Sequence, residues 1–362
     1  LINRFLLIAF FSIAAIAAQS QTNTWDGSSS NNWNTAANWS LNVVPTSAHD
    51  VVIPDNFNVT VNTAAVCKSF TINGGGNSNT VTISAGQSLT VTGAVTIGAG
   101  TGSGDNKTLA VGSSSLSCAS VTISATGNAN RTSAITLSTG TITVTGNITL
   151  GDANDDITFS GAGLLKVGGN MSGGTFTAST GTVEYYGNGS GGTSSNQTIA
   201  AYAYNNLTVS GNGTKTLSGN TTVGATVTID AGVTLGLSTY TLGSPTSLVM
   251  ETGGTSGSAI SGSGTLTLGG NVTVNNAGTG NGATISAPLA LGSTRTFTVA
   301  NDGTTAVDLT ISSIISGSAG ITKDGAGTMD LGGLITLSGG NANRLFQVQT
   351  GAALTLRQIV LT

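Results

Sequence analysis

A three-residue pattern, in which threonine stands between two large apolar residues, recurs along almost the whole chain. Examples are Phe70-Thr71-Ile72, Val121-Thr122-Ile123 and Val227-Thr228-Ile229. In an extended backbone the two apolar side chains project to one face and the threonine to the other, and β-branched residues favour this conformation. Gly, Asn and Ser separate the copies, so short strands alternate with turns and no helical period is present. The pattern predicts an all-β fold of the β-solenoid type.

The composition excludes two classes of partner. Charged residues make up 7% of the chain, against about 25% in ordinary soluble proteins. The net charge is -4 and the few Lys and Arg residues form no cluster, so the chain lacks the basic patch that nucleic acid or an anionic membrane requires. Gly is abundant, with 54 residues, but the regularly spaced Val, Ile and Leu favour a repetitive fold over disorder.

The first 20 residues have the features of a secretory signal peptide. Arg4 supplies a positive charge, an apolar run extends from Phe5 to about Ala18, and small residues follow. A membrane anchor is the alternative, but the run is shorter than the roughly 20 residues that span a bilayer. We therefore expect a secreted or cell-surface protein whose mature form has no membrane span. The chain stops within a predicted strand, so we expect the protein to continue beyond Thr362.

Residues 21–63 differ from the rest because they contain all three tryptophans, Trp25, Trp33 and Trp39. Large aromatic side chains could cover the exposed core at the first turn of a solenoid, and we predict such a cap here. The alternative is a carbohydrate-binding platform, since sugar rings stack on the faces of tryptophan.

The remaining chain is predicted to form three blocks of solenoid: residues 64–180, residues 181–250 with a Tyr-rich loop, and residues 251–362. Apolar doublets recur every few residues, and three strands would make one turn of about 20 residues. This predicts about 15 turns and a rod on the order of 70 Å long, at about 4.8 Å per turn.

The two cysteines occupy equivalent places in similar strings, CKSFTI at Cys67 and CASVTI at Cys118. Their separation in sequence exceeds one predicted turn, and non-adjacent turns lie too far apart for a disulfide. We predict buried thiols, with a disulfide as the alternative.

The string GDANDDI contains a possible calcium site at Asp152, Asn154 and Asp156. The D-x-N-x-D spacing arranges oxygen atoms around calcium in EF-hand loops, but Ile157 stands where the turn glycine of those loops belongs. A solvated turn is the alternative interpretation.

Two further functions depend on how side chains are stacked. Polysaccharide lyases and hydrolases need carboxylates on adjacent turns, whereas the fourteen acidic residues are scattered along the sequence. Binding to ice or another crystal surface would need ranked threonines, and sets such as Thr90/Thr92, Thr141/Thr143/Thr145 and Thr221/Thr222 are irregularly spaced.

Three segments resemble pieces of secreted bacterial repeat proteins. The segment from Trp25 to Pro54 resembles the opening module of large surface β-helix proteins that leave gram-negative cells by a type IX route, and Gly181–Leu242 resembles their repeats. Leu289–Gly333 is similar to the autotransporter-associated β-strand repeat, whose hallmark is a G-[IL]-T-K-x-G-x-G-T-[LM]-x-L string. Here that string is Gly320–Leu331, with the letters GITKDGAGTMDL. The resemblance implies a right-handed parallel β-helix displayed on or shed from the cell surface, with no catalytic residues.

Together these features predict a secreted or surface-displayed, non-enzymatic repeat protein that acts as an adhesin or structural stalk. We expect surface glycans or other cell-surface polymers as partners and no cofactor. The alternatives are a carbohydrate-binding or polysaccharide-degrading β-helix, and a protein that binds ice or crystals through threonine ladders.

Overall fold

A computed structural model describes residues 20–317, 319–333, 335–337, 346–356 and 359–361. Apart from Ser20, the predicted signal peptide lies outside the described residues. Within them the only helix is a single 3₁₀ turn, Ala36–Asn38. Consecutive strands belong to different sheets, and each strand pairs in parallel with the strand three positions further along the chain over most of its length. The chain is a parallel β-solenoid, as the threonine pattern predicted.

Each turn of the solenoid contributes one strand to a continuous sheet of 13 strands, which we call the long sheet. Its strands are Ala65–Cys67, Ser88–Val91, Ser115–Cys118, Thr141–Val144, Leu164–Val167, Thr182–Tyr185, Asn206–Val209, Thr226–Ile229, Ser247–Gly254, Asn271–Gly280, Arg295–Val299, Ile321–Asp324 and Phe346–Val348.

Two other sheets complete the turns in the first half of the chain. The seven-stranded sheet consists of Gln21–Thr24, His49–Ile53, Ser69–Ile72, Ala94–Ile97, Ser120–Ile123, Ile148–Leu150 and Met171–Ser172. The six-stranded sheet consists of Asn58–Val61, Asn79–Ile83, Asn106–Gly112, Thr132–Leu137, Asp155–Phe159 and Thr175–Thr177.

In the second half of the chain, two eight-stranded sheets replace the seven-stranded and six-stranded sheets. One consists of Gln197–Ile199, Gly213–Leu217, Val233–Gly236, Ala259–Ser261, Ala283–Ile285, Leu309–Ile311, Thr328–Leu331 and Ala353–Leu356. The other consists of Ala203–Tyr204, Thr221–Val223, Leu242–Gly243, Leu266–Leu268, Leu289–Leu291, Ile315–Gly317, Ile335–Leu337 and Ile359–Leu361.

Most turns are longer than the predicted length of about 20 residues, and their length varies from one turn to the next. Leu164 pairs with Thr182, 18 residues on, whereas Asn79 pairs with Lys107, 28 residues on. The described chain therefore contains 13 stacked strands in the long sheet, and at about 4.8 Å per turn they extend over about 60 Å. The corners between strands absorb the extra residues, which strand spacing alone did not reveal.

The core consists of columns of apolar side chains that stack directly above one another. One column runs through Leu116, Ile142, Leu165 and Val183 of the long sheet, and all four are buried. Their neighbours along each strand point outward, so the threonines of the repeating pattern form the surface. Burial of these columns is the main stabilising term, because each turn has too little apolar surface to fold alone.

The Trp-rich segment forms an incomplete extra turn at the N-terminal end of the solenoid. Gln21–Thr24 pairs in parallel with His49–Ile53, and Asn32 forms a parallel bridge to Thr60. Trp39 makes edge-to-face contacts with both other tryptophans, with ring centroids 4.9 Å from Trp25 and 4.7 Å from Trp33. The prediction of a Trp-rich cap is confirmed.

A change of sheets occurs on two faces of the solenoid between Thr177 and Gln197, and we call this region the seam. Aromatic side chains fill the core there: Phe176 contacts both Tyr202 and Tyr204, and the hydroxyls of Tyr185 and Tyr204 are 3.2 Å apart. Large rings fill the space where the columns of smaller residues are interrupted.

Among the described residues, no helix is long and apolar enough to cross a membrane.

Candidate functional site

The tryptophans do not form the carbohydrate-binding platform that the sequence allowed. The exposed fraction is 1% for Trp25 and 0% for Trp33 and Trp39, and the Nε1 atom of Trp39 donates to the carbonyl oxygen of Trp33 at 2.8 Å. Because the ring faces pack against one another and against the core, no face is open to a sugar. The role of these side chains is to cover the end of the solenoid.

The predicted calcium residues are engaged with the backbone instead. The carboxylate of Asp152 accepts hydrogen bonds from the backbone N–H groups of Gly127, at 2.6 Å, and Asn154, at 2.8 Å. These bonds hold the pKa of Asp152 below its usual value. The Asp156 carboxylate accepts from the Thr158 hydroxyl at 3.1 Å. These hydrogen bonds make GDANDDI a hydrogen-bonded turn. In the described part of the chain there is no group of three or more His, Cys, Asp and Glu residues that could hold a metal.

Cys67 and Cys118 are free and buried, as predicted. Both point into the same column of the long sheet, with the strand that contains Val91 between them. Two turns separate the thiols by about 9.6 Å, which is too far for a disulfide. Burial raises the pKa of each thiol to about 12, so neither is a nucleophile at neutral pH.

The outward face of the long sheet carries two straight files of polar side chains. One file includes Ser115, Thr141, Leu164, Thr182, Asn206, Thr226, Ser247 and Asn271. The other includes Thr90, Ser117, Thr143, Lys166, Glu184, Thr208, Thr228, Val249 and Thr273. Leucine, valine and an ion pair interrupt the hydroxyls, so the face does not present an unbroken threonine array. Thr221 and Thr222, one of the sets in the sequence, point to opposite sides, with Thr221 buried.

Three carboxylates gather on this face near the middle of the rod, although they are far apart in sequence. Glu184, Asp230 and Glu251 lie on or just after the strands Thr182–Tyr185, Thr226–Ile229 and Ser247–Gly254. Lys166 forms an ion pair with Glu184 at 2.9 Å and lies over the ring of Tyr186, 5.2 Å from its centroid. We call Lys166, Glu184, Tyr186, Asp230 and Glu251 the acidic patch.

The electrostatics of the acidic patch keep one of its carboxyl groups protonated to an unusually high pH. Burial, together with the charges of Glu251 and Glu184, raises the pKa of Asp230 to about 6. Glu184 accepts a hydrogen bond from the Ser210 hydroxyl at 2.7 Å, and Glu251 accepts from the N–H of Ala231 at 3.1 Å. A carboxylic acid with a raised pKa beside other carboxyl groups is an arrangement used in general acid catalysis.

Sequence reasoning missed this patch because its members become neighbours only through the parallel register. The available signal was the position directly after the last buried apolar residue of each strand, where Asp230 follows Ile229 and Glu251 follows Met250 on consecutive turns. Using that signal requires the turn length, which varies from one turn to the next.

Three lysines are fully buried, although lysine is among the residues least often buried: Lys107, Lys215 and Lys323. The ammonium of Lys215 donates to the carbonyl oxygens of Gly187 and Ser195 at 2.6 Å and of Asn212 at 2.8 Å. It thereby ties the loop at the seam to the next turn.

Lys323 has a structural role within the string Gly320–Leu331. This string forms the strands Ile321–Asp324 and Thr328–Leu331 with a corner between them. Lys323 turns inward and donates to the carbonyl oxygens of Asp324, at 2.6 Å, and Gly325, at 2.9 Å. Gly325 has a φ of +79°, which side chains rarely adopt, so the lysine and the glycine together build the corner.

The outer surface also has a shallow depression of about 280 Å³ near residues 86–87, 113–115 and 139–141. Its lining is Gly, Ser, Thr and Gln, without a titratable side chain. It offers hydrogen bonds but no acid, base or nucleophile for chemistry at neutral pH.

A comparison with known families gives one match: a domain of unknown function (DUF8693) is similar to residues 24–103. The matched segment contains the Trp-rich cap and the first turns of the solenoid, which the structure joins through strand pairing. Searches of curated proteins and of solved structures found no match.

Proposed function

We propose that this protein is an exported, surface-displayed rod that acts as an adhesin or stalk without catalysing a reaction. The observation that carries the proposal is the construction of the described chain. Thirteen parallel strands form one continuous sheet, and its outward face is a polar surface that repeats about every 4.8 Å.

The charge distribution supports this proposal. The polar side chains on the long sheet are mostly hydroxyls and amides, and the whole chain has few charged residues. Hydroxyls and amides both donate and accept hydrogen bonds, which suits them to neutral polymers such as glycans. Each contact is weak, so useful adhesion requires many copies on one surface.

The signal-like N-terminus and the autotransporter-like string Gly320–Leu331 support export to the surface. The Trp-rich cap then has a purely structural task, since it protects the end of the rod.

Display-dependent adhesion tests the proposal. The mature chain is immobilised on beads at high density, the same chain is kept as a soluble monomer, and both are applied to surfaces coated with bacterial and host glycans. We expect bead retention at least 100-fold above that of the monomer, the lower end of the gain from multivalency. A variant with the outward residues Thr208, Thr228 and Thr273 changed to Val should lose retention, whereas the same change at three outward threonines of the seven-stranded sheet, Thr71, Thr96 and Thr122, is the matched control. Equal failure of the dense beads and of the soluble monomer on every glycan would contradict the proposal.

The acidic patch favours a second candidate, a polysaccharide hydrolase. Asp230 directly follows the strand Thr226–Ile229 and Glu251 lies in the adjacent strand Ser247–Gly254 of the long sheet. Adjacent strands are about 4.8 Å apart, and retaining glycosidases place their two carboxyl groups about 5–5.5 Å apart. Asp230, with its raised pKa, would donate the proton and Glu251 would be the nucleophile.

Release of reducing sugar from a polysaccharide panel distinguishes the two candidates. The rod proposal predicts no release above that of the double variant Asp230→Asn, Glu251→Gln. Release that this variant loses, while it keeps the circular dichroism spectrum of the unmodified protein, would establish the hydrolase.

A further inference from the structure

Three side chains from three successive turns meet at one corner of the solenoid, and we call them the Lys107 site: Asp55, Asn79 and Lys107. Asp55 lies in the turn after His49–Ile53, Asn79 begins the strand Asn79–Ile83, and Lys107 is in Asn106–Gly112. Asn79 and Lys107 are direct partners in adjacent parallel strands. Both are fully buried, whereas the Asp55 side chain is 26% exposed.

The ammonium of Lys107 is held between a carboxylate and a carboxamide. Its Nζ atom lies 2.5 Å from Asp55 Oδ1 and 3.0 Å from Asn79 Oδ1, and it also donates to the carbonyl oxygen of Asn77. The amide of Asn77 donates to Asp55 Oδ2 at 3.1 Å and fixes the carboxylate. Since a C=O bond measures about 1.23 Å, the Asn79 carbonyl carbon is at most about 4.2 Å from the lysine nitrogen. This distance is within about 1 Å of the roughly 3–3.5 Å that separates reacting atoms just before a bond forms.

The carboxamide of Asn79 has a fixed orientation. Its Oδ1 atom faces two donors, Lys107 Nζ and the backbone N–H of Asn56 at 3.0 Å, and its Nδ2 atom donates to the carbonyl oxygen of Pro54 at 2.5 Å. Asn56 has a φ of +70°, and this turn aims its N–H at Oδ1. A donor in this position would stabilise negative charge that develops on Oδ1.

We infer that Lys107 and Asn79 form an intramolecular isopeptide bond, with Asp55 as the proton-transfer group. The site contains the three components that the reaction needs: a buried amine, an oriented carboxamide and an adjacent carboxylate. This inference is independent of the proposed adhesin function.

The reaction needs no oxidant, reductant or metal. Asp55 takes a proton from the Lys107 ammonium, and the free electron pair on Nζ attacks the Asn79 carbonyl carbon, so the C=O π electrons move to Oδ1. Asp55 gives this first proton to Nδ2, and its carboxylate then takes a second proton from the attacking nitrogen. The C–Nδ2 bond breaks as the C=O bond re-forms. One C–N bond forms, one breaks, and ammonia leaves. The ammonia takes up the remaining proton as ammonium, which restores the Asp55 carboxylate.

The surroundings favour formation of the isopeptide bond over an ion pair between Lys107 and Asp55 that stays unreacted. Full burial keeps water from Lys107 and Asn79, so hydrolysis does not compete, while the partly exposed Asp55 gives ammonia a way out. Gly75 makes room for the carboxylate, since a Cβ atom there would lie 2.5 Å from Asp55 Cγ.

Lys215 is a matched control within the same chain. It is equally buried, but its ammonium donates to the backbone carbonyl oxygens of Gly187, Ser195 and Asn212. A peptide carbonyl has no NH2 group that could leave as ammonia, so no isopeptide bond is expected at Lys215.

Mass spectrometry of the purified mature chain tests the inference. We expect the intact protein to be lighter than its sequence mass by one ammonia, and trypsin to leave the chain uncut after Lys107 while cutting after Lys215. Chymotrypsin, which cuts after large apolar residues such as Leu89, should leave two peptides joined through Asn79 and Lys107.

Two variants assign the roles. Lys107→Arg keeps the positive charge but should show the full sequence mass, and Asp55→Ala should lose most of the cross-link while it retains the β-sheet circular dichroism spectrum. If either variant fails to fold, the mass of the unmodified protein still shows whether the isopeptide bond has formed. A full sequence mass together with normal tryptic cleavage after Lys107 would overturn the inference.

Discussion

The buried ammonium of Lys215 makes the stability of the solenoid depend on pH in a way that one substitution isolates. Burial lowers the pKa of Lys215 from its ordinary value of 10.5 to about 8. The folded chain therefore binds this proton more weakly than the unfolded chain. The resulting cost to stability is present below pH 8 and disappears as the pH rises from 8 to 10.5.

The size of the effect follows from the two pKa values. At pH 7 the buried charge costs about 3 kcal/mol, and at pH 10 less than about 1 kcal/mol remains, so the gain across this range is about 2.5 kcal/mol. Lys215→Met removes the titrating group. It also removes the three hydrogen bonds to carbonyl oxygens, but that loss is largely independent of pH. The free energy of unfolding of the unmodified protein minus that of Lys215→Met should therefore rise by about 2.5 kcal/mol between pH 7 and pH 10.

Urea unfolding followed by tryptophan fluorescence and circular dichroism at several pH values measures this difference. The subtraction removes the opposing effects of Cys67, Cys118 and Tyr185, whose pKa values burial raises to about 12, because they titrate in both proteins. Thr122→Ala, at an outward residue without a titratable group, is the control and should give a flat difference. A flat difference for Lys215→Met would refute the reasoning, since it would mean that three carbonyl oxygens keep the ammonium charged despite burial.

Three other predictions concern the cap, the thiols and a buried carboxyl. Trp39→Ala should lower the free energy of unfolding by about 3–5 kcal/mol in urea titrations, whereas Thr122→Ala on the surface should change it by less than about 0.5 kcal/mol; equal effects would contradict the capping role. Cys67 and Cys118 should resist a thiol reagent in the folded chain and both react in denaturant, and an absence of reaction in denaturant would indicate a disulfide. Burial raises the pKa of Asp155 from 3.8 to about 6, so stability should fall by about 2.4 kcal/mol as the pH rises from 4 to 7; Asp155→Asn should abolish this component, and an unchanged pH profile would refute it.

The fold was predictable because a period of two is a local property. In Val121-Thr122-Ile123 the alternation, the β-branching and the flanking turn residues all specify one strand, and the structure buries Val121 and Ile123 while Thr122 faces outward. Turn length was not predictable in the same way, because corners such as the one between Asp324 and Thr328 depend on a buried lysine and a glycine rather than on strand periodicity.

The candidate sites were harder to predict because solenoid neighbours are one whole turn apart in sequence. Glu184 and Asp230 lie in one patch only because the register aligns their strands, and Lys107 meets Asp55 across 52 residues. The sequence left a Trp platform open for a related reason: Trp25 and Trp39 have a suitable side chain for sugar binding, but the sequence does not say which way the rings face.

The Lys107 site and the acidic patch have contrasting environments. At the Lys107 site the amine and the carboxamide are fully buried, which suits a single reaction within the chain. The acidic patch lies on the outer face, where side chains such as Lys166 are 31% exposed and remain accessible to a polymer. The rod is thus compatible with an internal covalent bond and an external recognition surface at the same time.

Immunoelectron microscopy of intact cells that produce the protein tests the central claim most directly, with an antibody raised against the folded mature chain. The account predicts labelling at the outer surface without permeabilisation, and, in the shed material, straight rods with a solenoid segment of at least about 60 Å for the 13 stacked strands. Labelling that appears only after the cells are lysed would contradict an exported surface rod.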